Sequence, residues 1–486
     1  MKSPKDVSLW LKFFQSCPLD CGGDGLLVFG VSDFYTSPSV GEKRKMKRLF
    51  NLATRADALL AGSLSVCLFL SAGAGQAETL SEAWQIAMER DLTLLSANSR
   101  VEAAEADLAA AKAQRYPILS ASGTVMTMDE TPAFDFGAAG IPVQLPLYEG
   151  STVVTSDARV TVPLFTSGAL SHGIAAAEGG LGSSKFQALS VAMDTRLSVA
   201  DAYIGVLRAD SNLQIADSNL RSLTAHAADV KDMFSAGLVP RNDHLSAQVA
   251  LADAQQRQLQ ATNHLDLARA AYNRGLDRPL DTQVILENKT PVVQIDFPAA
   301  DLEALTAMAL ERRPELGGMD EGAVALRAQA DATKARGLPQ VALTGGYTYM
   351  ENQFLNQEDY WMVGVGVRWE LFDSGRTRHA ADALSRRARA LSQNRRNMEG
   401  VVALQVRQSW LDLSESRQRL KVVARSVEQS EENLKVVRDR YRNGEGTNTD
   451  VLGAQALSNL SKQNYDNARY DIELSRIRLA RAVGLL

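Results

Sequence analysis

The sequence predicts a mixed α/β membrane protein made of two copies of one unit, each with a membrane hairpin and long coiled-coil helices. Three observations point there: an internal repeat across most of the chain, two proline-free helical runs, and segments of strictly alternating apolar character.

The repeat comes first because it fixes the order of everything else. GLVPRNDHLSAQ from Gly237 returns as GEGTNTDVLGAQ from Gly444, and Asp243 lies 207 positions before Asp450. The same shift carries Leu164-Phe165 onto Leu371-Phe372, Ser167-Gly168 onto Ser374-Gly375, His172 onto His379 and Gln248 onto Gln455. Upstream the shift is 222, taking Leu80 to Leu302, Lys112 to Lys334 and Pro117 to Pro339. The 15 extra residues of the first copy must sit between Pro117 and Leu164, in a longer strand-connecting loop. The expected units are 78–298 and 299–486, preceded by an N-terminal extension and signal peptide over 1–77.

That extension has its own chemistry. Lys43-Arg44-Lys45 and Lys47-Arg48 precede a short apolar run, Ala58 to Ala72, which ends in small residues. Basic start, apolar middle and small-residue end make a secretory signal peptide, cut after about Ala74 or Ala77, with Met46 an alternative start to Met1. The run is too short for a good transmembrane helix. Cys17, Cys21 and Cys67 all lie in this part, so the mature chain offers no disulfide or thiolate site. Val66, larger than the residue lipidation sites prefer, argues against Cys67 as an acylated N-terminus. Residues 1–77 hold 9 of the 52 basic and 6 of the 57 acidic side chains, leaving 43 against 51, a net of −8. Nucleic acid is thereby disfavoured as a partner.

Helical runs follow at 168–236 and 375–443. Leu413, Leu420, Val427, Leu434 and Tyr441 stand seven apart, as do Val206, Leu213, Leu220, Ala227 and Phe234. At 1.5 Å per residue each run makes a helix of roughly 100 Å, which must lie against others. Shorter helical stretches near 80–115 and 243–275 could stack end to end along it. The turn 237–242 carries Gly237 as the helix stop and Asn242 or Asp243 as the next cap, repeated by Gly444 and Thr447–Asp450.

Strands close the element list. Val363, Val365, Val367, Trp369 and Leu371 alternate with Gly364, Gly366, Arg368 and Glu370, giving one apolar and one small or charged face. Segment 339–350 alternates likewise, and 117–128 and 153–165 take the same places in the first copy. Apolar-out strands of this length in a secreted chain suit a membrane barrel, which needs about eight strands to close. Four per chain cannot close alone, so the chain must oligomerise: two copies give 8 strands, three give 12.

With these residues in place, the chain resembles the TolC-like outer membrane efflux proteins. The resemblance rests on the duplication, on Leu-Phe-x-Ser-Gly after each second strand, and on Gly444-x5-Asp450-Val451-Leu452 followed by Ala454-Gln455. It spans about 80–486. It implies a homotrimer with a 12-stranded barrel in the outer membrane, continued by an α-helical barrel across the periplasm. An equatorial belt would lie at 276–300 and the C-terminus. It implies a passive exit duct for efflux or type I secretion, joined through a periplasmic adaptor to an inner-membrane pump or ABC exporter. No cofactor is implied.

The same resemblance places the pore constriction at the helix tips, with Asp243, Asp450 and Tyr441, and adaptor docking at Gly237, Leu238, Pro240 and Gly444. Converging carboxylates would favour cations; helix capping, turn chemistry and heptad packing explain the same residues without a pore. Gly446 and Gly453 stand where a tip-locking arginine and a second pore aspartate are expected, so the latch differs. Val363, Val365, Val367, Trp369 and Leu371 are the expected lipid-facing strand. The histidines, His172, His226, His244, His264 and His379, lack metal-site spacing and read as solvated helix residues, and the charges on the long helices read mostly as a solvated face. No catalytic constellation is present, which disfavours an enzyme. A pore-free periplasmic scaffold is the alternative, but a scaffold gives no reason for the one-sided strand.

Overall fold

The computed structural model describes residues 77–137, 140, 142–148, 150–287, 297, 301–352 and 356–486, all within one compact unit, Gly75–Leu486. The expected signal peptide and the three cysteines lie outside the described residues, as do 288–296 and 298–300 of the expected belt and the unit boundary at 298/299.

Each copy begins with a broken helix. The first has α1 (Leu80–Arg90) and α2 (Leu92–Ala113), where the sequence suggested one stretch over 80–115. Thr79 and Glu82 form a capping box at the start of α1. Asp91, at ψ 119, ends α1 and caps α2 by accepting from the Leu94 N–H at 2.8 Å. The strands β1 (Ile118–Thr127) and β4 (Thr152–Phe165) follow, with a small hairpin, β2 (Ala133–Asp135) and β3 (Gln144–Pro146), in the long connection between them. Then come α3 (Ala169–Ser235) and α4 (Arg241–Gly275).

The second copy repeats this order. Its elements are α5 (Leu302–Arg312), α6 (Pro314–Arg336), β5 (Gln340–Met350), β6 (Asp359–Arg368), α7 (Arg376–Arg442) and α8 (Asn448–Val483). The break between α5 and α6 falls at Arg313, at ψ 119, because Pro314 pushes the preceding residue out of the helical region. Both long helices have 67 residues. Among the described residues no helix is long and apolar enough to cross a membrane.

Ser-Gly pairs explain the abrupt passage from strand to long helix. Ser167 and Gly168 have φ of 50 and 87°, Ser374 and Gly375 of 56 and 83°. Two consecutive left-handed residues turn the chain within a single step, and glycine takes the second without a Cβ penalty.

All four long strands form one antiparallel sheet in the order β1-β4-β5-β6, so the central pair joins the two copies. Below it the helices pack α2-α3-α6-α7 nearer the sheet and α4-α3-α8-α7 farther away. The long helices are thus shared by both layers, each flanked by half-length helices as the lengths suggested. Three apolar clusters lie along them. One gathers Leu80, Tyr203, Tyr272 and Ile477, a second Leu305, Val402, Val406 and Val483, and the third sits at the far tip.

A few charges off the two long helices are buried. At the α5–α6 break, Arg313 grips Glu315 through two bonds of 2.9 and 3.2 Å and donates to Gln405 at 3.0 Å. Arg481 of α8 donates to the same carboxylate at 2.6 Å and to Asp194 at 2.7 Å. Both guanidinium groups are buried, at 7% and 8% exposure. Burial alone would raise the Glu315 carboxyl, but the Arg481 hydrogen bond and the two positive charges hold it down at about 2.

Candidate functional site

Two features can carry function: a sheet with opposed faces and open margins, and a helical tip. On the sheet, residues directly opposite share a face. Leu119–Val160–Gly345–Val363 and Ala121–Ala158–Tyr347–Trp361 run across all four strands, beside Leu343–Val365 and Val341–Val367. Val363, Val365 and Val367 are 81%, 63% and 68% exposed, which an apolar surface tolerates only against lipid or another chain. The opposite face carries Ser122, Asp157 and Thr348 in one row and Ser120, Arg159 and Gly346 in another. Trp369 and Leu371 are exposed as expected but lie beyond the last strand residue, Arg368, which corrects their assignment to the strand.

The margins are consistently of opposite origin. β1, α2 and α4 from the first copy form one; β6 and α7 from the second form the other. Leu404, Leu411, Val422 and Val436 line an exposed stripe on α7, and Leu245, Val249, Leu259 and Leu267 another on α4. The spacings place each stripe on one helix face.

At the tip the two long helices end alike. Gly237 and Gly444 adopt φ of 76 and 78°, with Leu238 N–H bonded to Met233 O at 2.9 Å and Glu445 N–H to Arg440 O at 2.8 Å. The next helices start differently. Thr447 caps α8, and its N–H and hydroxyl both donate to Asp450 at 3.1 and 2.7 Å. These bonds, the side-chain one foremost, lower the Asp450 pKa. In the first copy the cap is Pro240, which has no capping side chain, so Asn242 and Asp243 stand inside the first turn rather than at the cap. The Asp243 carboxylate accepts from the neighbouring Asn242 amide, at 3.1 Å. Leu238 is exposed at 72%.

Tyr441 is buried among Ala227, Val230, Ala247 and Val451, so four helices meet on its ring. Burial first, and the Asp243 carboxylate second, raise its pKa. His226 overturns the expectation of solvated histidines: it is 8% exposed, its ring lies 5.5 Å from that of Tyr441, and Nε2 is 2.7 Å from Asn448 Oδ1. Asn448 donates through Nδ2 to the Asp243 carbonyl at 3.1 Å, so Oδ1 accepts from His226. One buried chain of bonds therefore links α3, α8 and α4. His244 stacks on Phe234 with centroids 5.4 Å apart. Sequence offered one faint signal for this cluster, the position of His226 beside heptad residue Ala227. Among the described residues no His, Cys, Asp and Glu group is arranged to hold a metal.

The family model described as "Outer membrane efflux protein" matches residues 83–276 and 305–485. The outer membrane protein TolC of Vibrio cholerae is 25% identical over 435 residues, covering 86% of this chain and 95% of that protein. The alkaline protease secretion protein AprF of Pseudomonas aeruginosa is 24% identical over 286 residues, 57% of this chain and 60% of AprF. The solved outer-membrane channel OprN superposes with a TM-score of 0.71 at 18% identity, covering 83% of this chain and 89% of OprN.

Proposed function

The chain belongs to the outer membrane efflux protein family, and from that premise we propose a homotrimeric duct, fed by an inner-membrane pump or ABC exporter through a periplasmic adaptor. The family is one of channel proteins, and the chain is an outer membrane efflux channel whose helices extend into the periplasm. The pore-free scaffold is thereby set aside.

The margins carry the proposal. A first-copy edge at every level faces away from a second-copy edge, the arrangement that closes a ring by head-to-tail contacts. Three chains supply 12 strands, enough for a barrel. The repeats 78–298 and 299–486 then alternate around the axis, and the apolar sheet face meets outer membrane lipid. Native mass spectrometry of the detergent-solubilised chain is expected to give the mass of three chains. A monomer or dimer as the sole species would overturn the trimer.

At the far end we assign Asp243 and Asp450, beside Tyr441, to the pore constriction, and Gly237, Leu238, Pro240 and Gly444 to adaptor docking. Support comes from the exposed Leu238 and from the carboxylate of Asp243, which no helix cap consumes. Planar bilayers test the constriction. The D243A/D450A variant is expected to lose most of its cation preference, read as a reversal potential closer to zero in a salt gradient; an unchanged potential would refute the assignment.

A further inference from the structure

We propose that the foot of the barrel holds an anion-binding site in each chain, built from Arg336, Arg368 and Arg376, for multivalent oxyanions such as phosphorylated or polycarboxylate solutes. A cavity opens where α6, β5, β6 and α7 meet, lined by these three arginines with Thr333, Gln340 and Thr377. Glu370 also borders it and accepts from Arg376 at 2.9 Å. The guanidinium groups of Arg336 and Arg368 have no hydrogen-bond or ion-pair partner among the described residues. Three positive charges against one carboxylate leave the cavity with two in excess.

Placement in the sheet directs these charges inward. Arg368 lies opposite Gln340, Gly366 opposite Ala342 and Gly364 opposite Thr344, all on the face turned away from the Val341–Val367 and Leu343–Val365 pairs. If the apolar face meets lipid, this one faces the lumen; that orientation rests on the channel reading, whereas binding needs only one chain. Where a Cβ would stand at Gly364 or Gly366 there is open space, so no side chain at those positions roofs Arg368.

The duplication supplies a control within the molecule. The first copy has Gln114, Thr161 and Ala169 at the positions matching Arg336, Arg368 and Arg376, and builds the same helix-to-strand junction without them. The fold therefore does not need these charges. Nor is the start of α7 the binder. Asp373 already accepts from two N–H groups there, Gly375 at 2.9 Å and Thr377 at 2.8 Å. What remains is a guanidinium cluster, whose planar forks pair with two oxygens at a time and suit oxyanions better than chloride. Such clusters in a cleft also raise the local concentration of their counter-ion.

Calorimetric titration of the detergent-solubilised full chain with inorganic triphosphate tests this directly. One site per chain is expected, with affinity falling at least tenfold in R336Q/R368Q and rising several-fold in E370Q, which releases Arg376. The D243A/D450A variant should bind as the unaltered chain does. No saturable heat, or equal affinity in R336Q/R368Q, would overturn the site. Triphosphate added on the extracellular side of a bilayer should also block conductance. Absent conductance with intact titration would count against the channel, and conductance without titration against the site.

Discussion

Val363→Arg combined with Val365→Arg is expected to abolish assembly in the outer membrane while leaving the helices able to fold. Both side chains lie on the apolar face, 81% and 63% exposed, in rows with Leu119, Val160 and Leu343. An arginine facing lipid near the bilayer midplane costs about 2–4 kcal/mol, so two cost about 4–8 kcal/mol, comparable with the whole stability of many folded domains. The readout is the heat-modifiable band of an outer membrane fraction, expected to vanish. Thr344→Arg, on the opposite face, should keep it. Normal migration of the double variant would show that this face does not meet lipid.

The second large effect is expected at the α5–α6 break. Arg481→Met removes the donor shared by Glu315, Asp194 and Ser190, leaving Glu315 only Arg313 and the Ser190 hydroxyl as side-chain donors among the described residues. Breaking a buried, hydrogen-bonded charge cluster from one side costs about 3–5 kcal/mol. The Asp194 bridge adds little, because its side chain is 61% exposed. Chemical unfolding in detergent should show a lowered midpoint, with Arg481→Lys intermediate. The same cluster sets an acid limit. Glu315 is depressed from 4.5 to about 2, so its stabilisation is complete above pH 4.5 and disappears as the pH falls towards 2. That acid-sensitive increment should be smaller in the Met variant, where Arg313 alone supplies positive charge; an identical acid profile in both chains would refute the role of Glu315.

Much of this was legible in the sequence because the repeat let each copy interpret the other. The Leu-Phe-x-Ser-Gly motif marked both strand-to-helix turns, and positive φ at its Ser and Gly shows why those residue types stand there. Alternation revealed the apolar face but ran too far, taking in Trp369 and Leu371. Alternation says which way a side chain points, not where pairing stops. Pairing stops because Arg368 faces Gln340, the first strand residue after Pro339, and proline has no N–H to extend the ladder. The helix break at Asp91 carried no proline to announce it, unlike Pro314. The buried polar contacts were hidden for another reason. His226 meets Asn448 from 222 positions away, and Arg481 meets Glu315 from 166. Such partners are set by how the two copies interlock, which no local pattern records.

The opposed margins also have a genetic consequence. In the proposed trimer each chain offers a first-copy edge to one neighbour and a second-copy edge to the other, so damage confined to β6 and α7 leaves β1, α2 and α4 fit to join a ring. The damaged subunit enters the assembly and then denies it closure. Co-expressed in equal amounts with intact chains, it should be dominant: with three subunits drawn at random, only about one ring in eight is free of it. A lesion that unfolds the whole chain would instead be recessive, since it never reaches the ring.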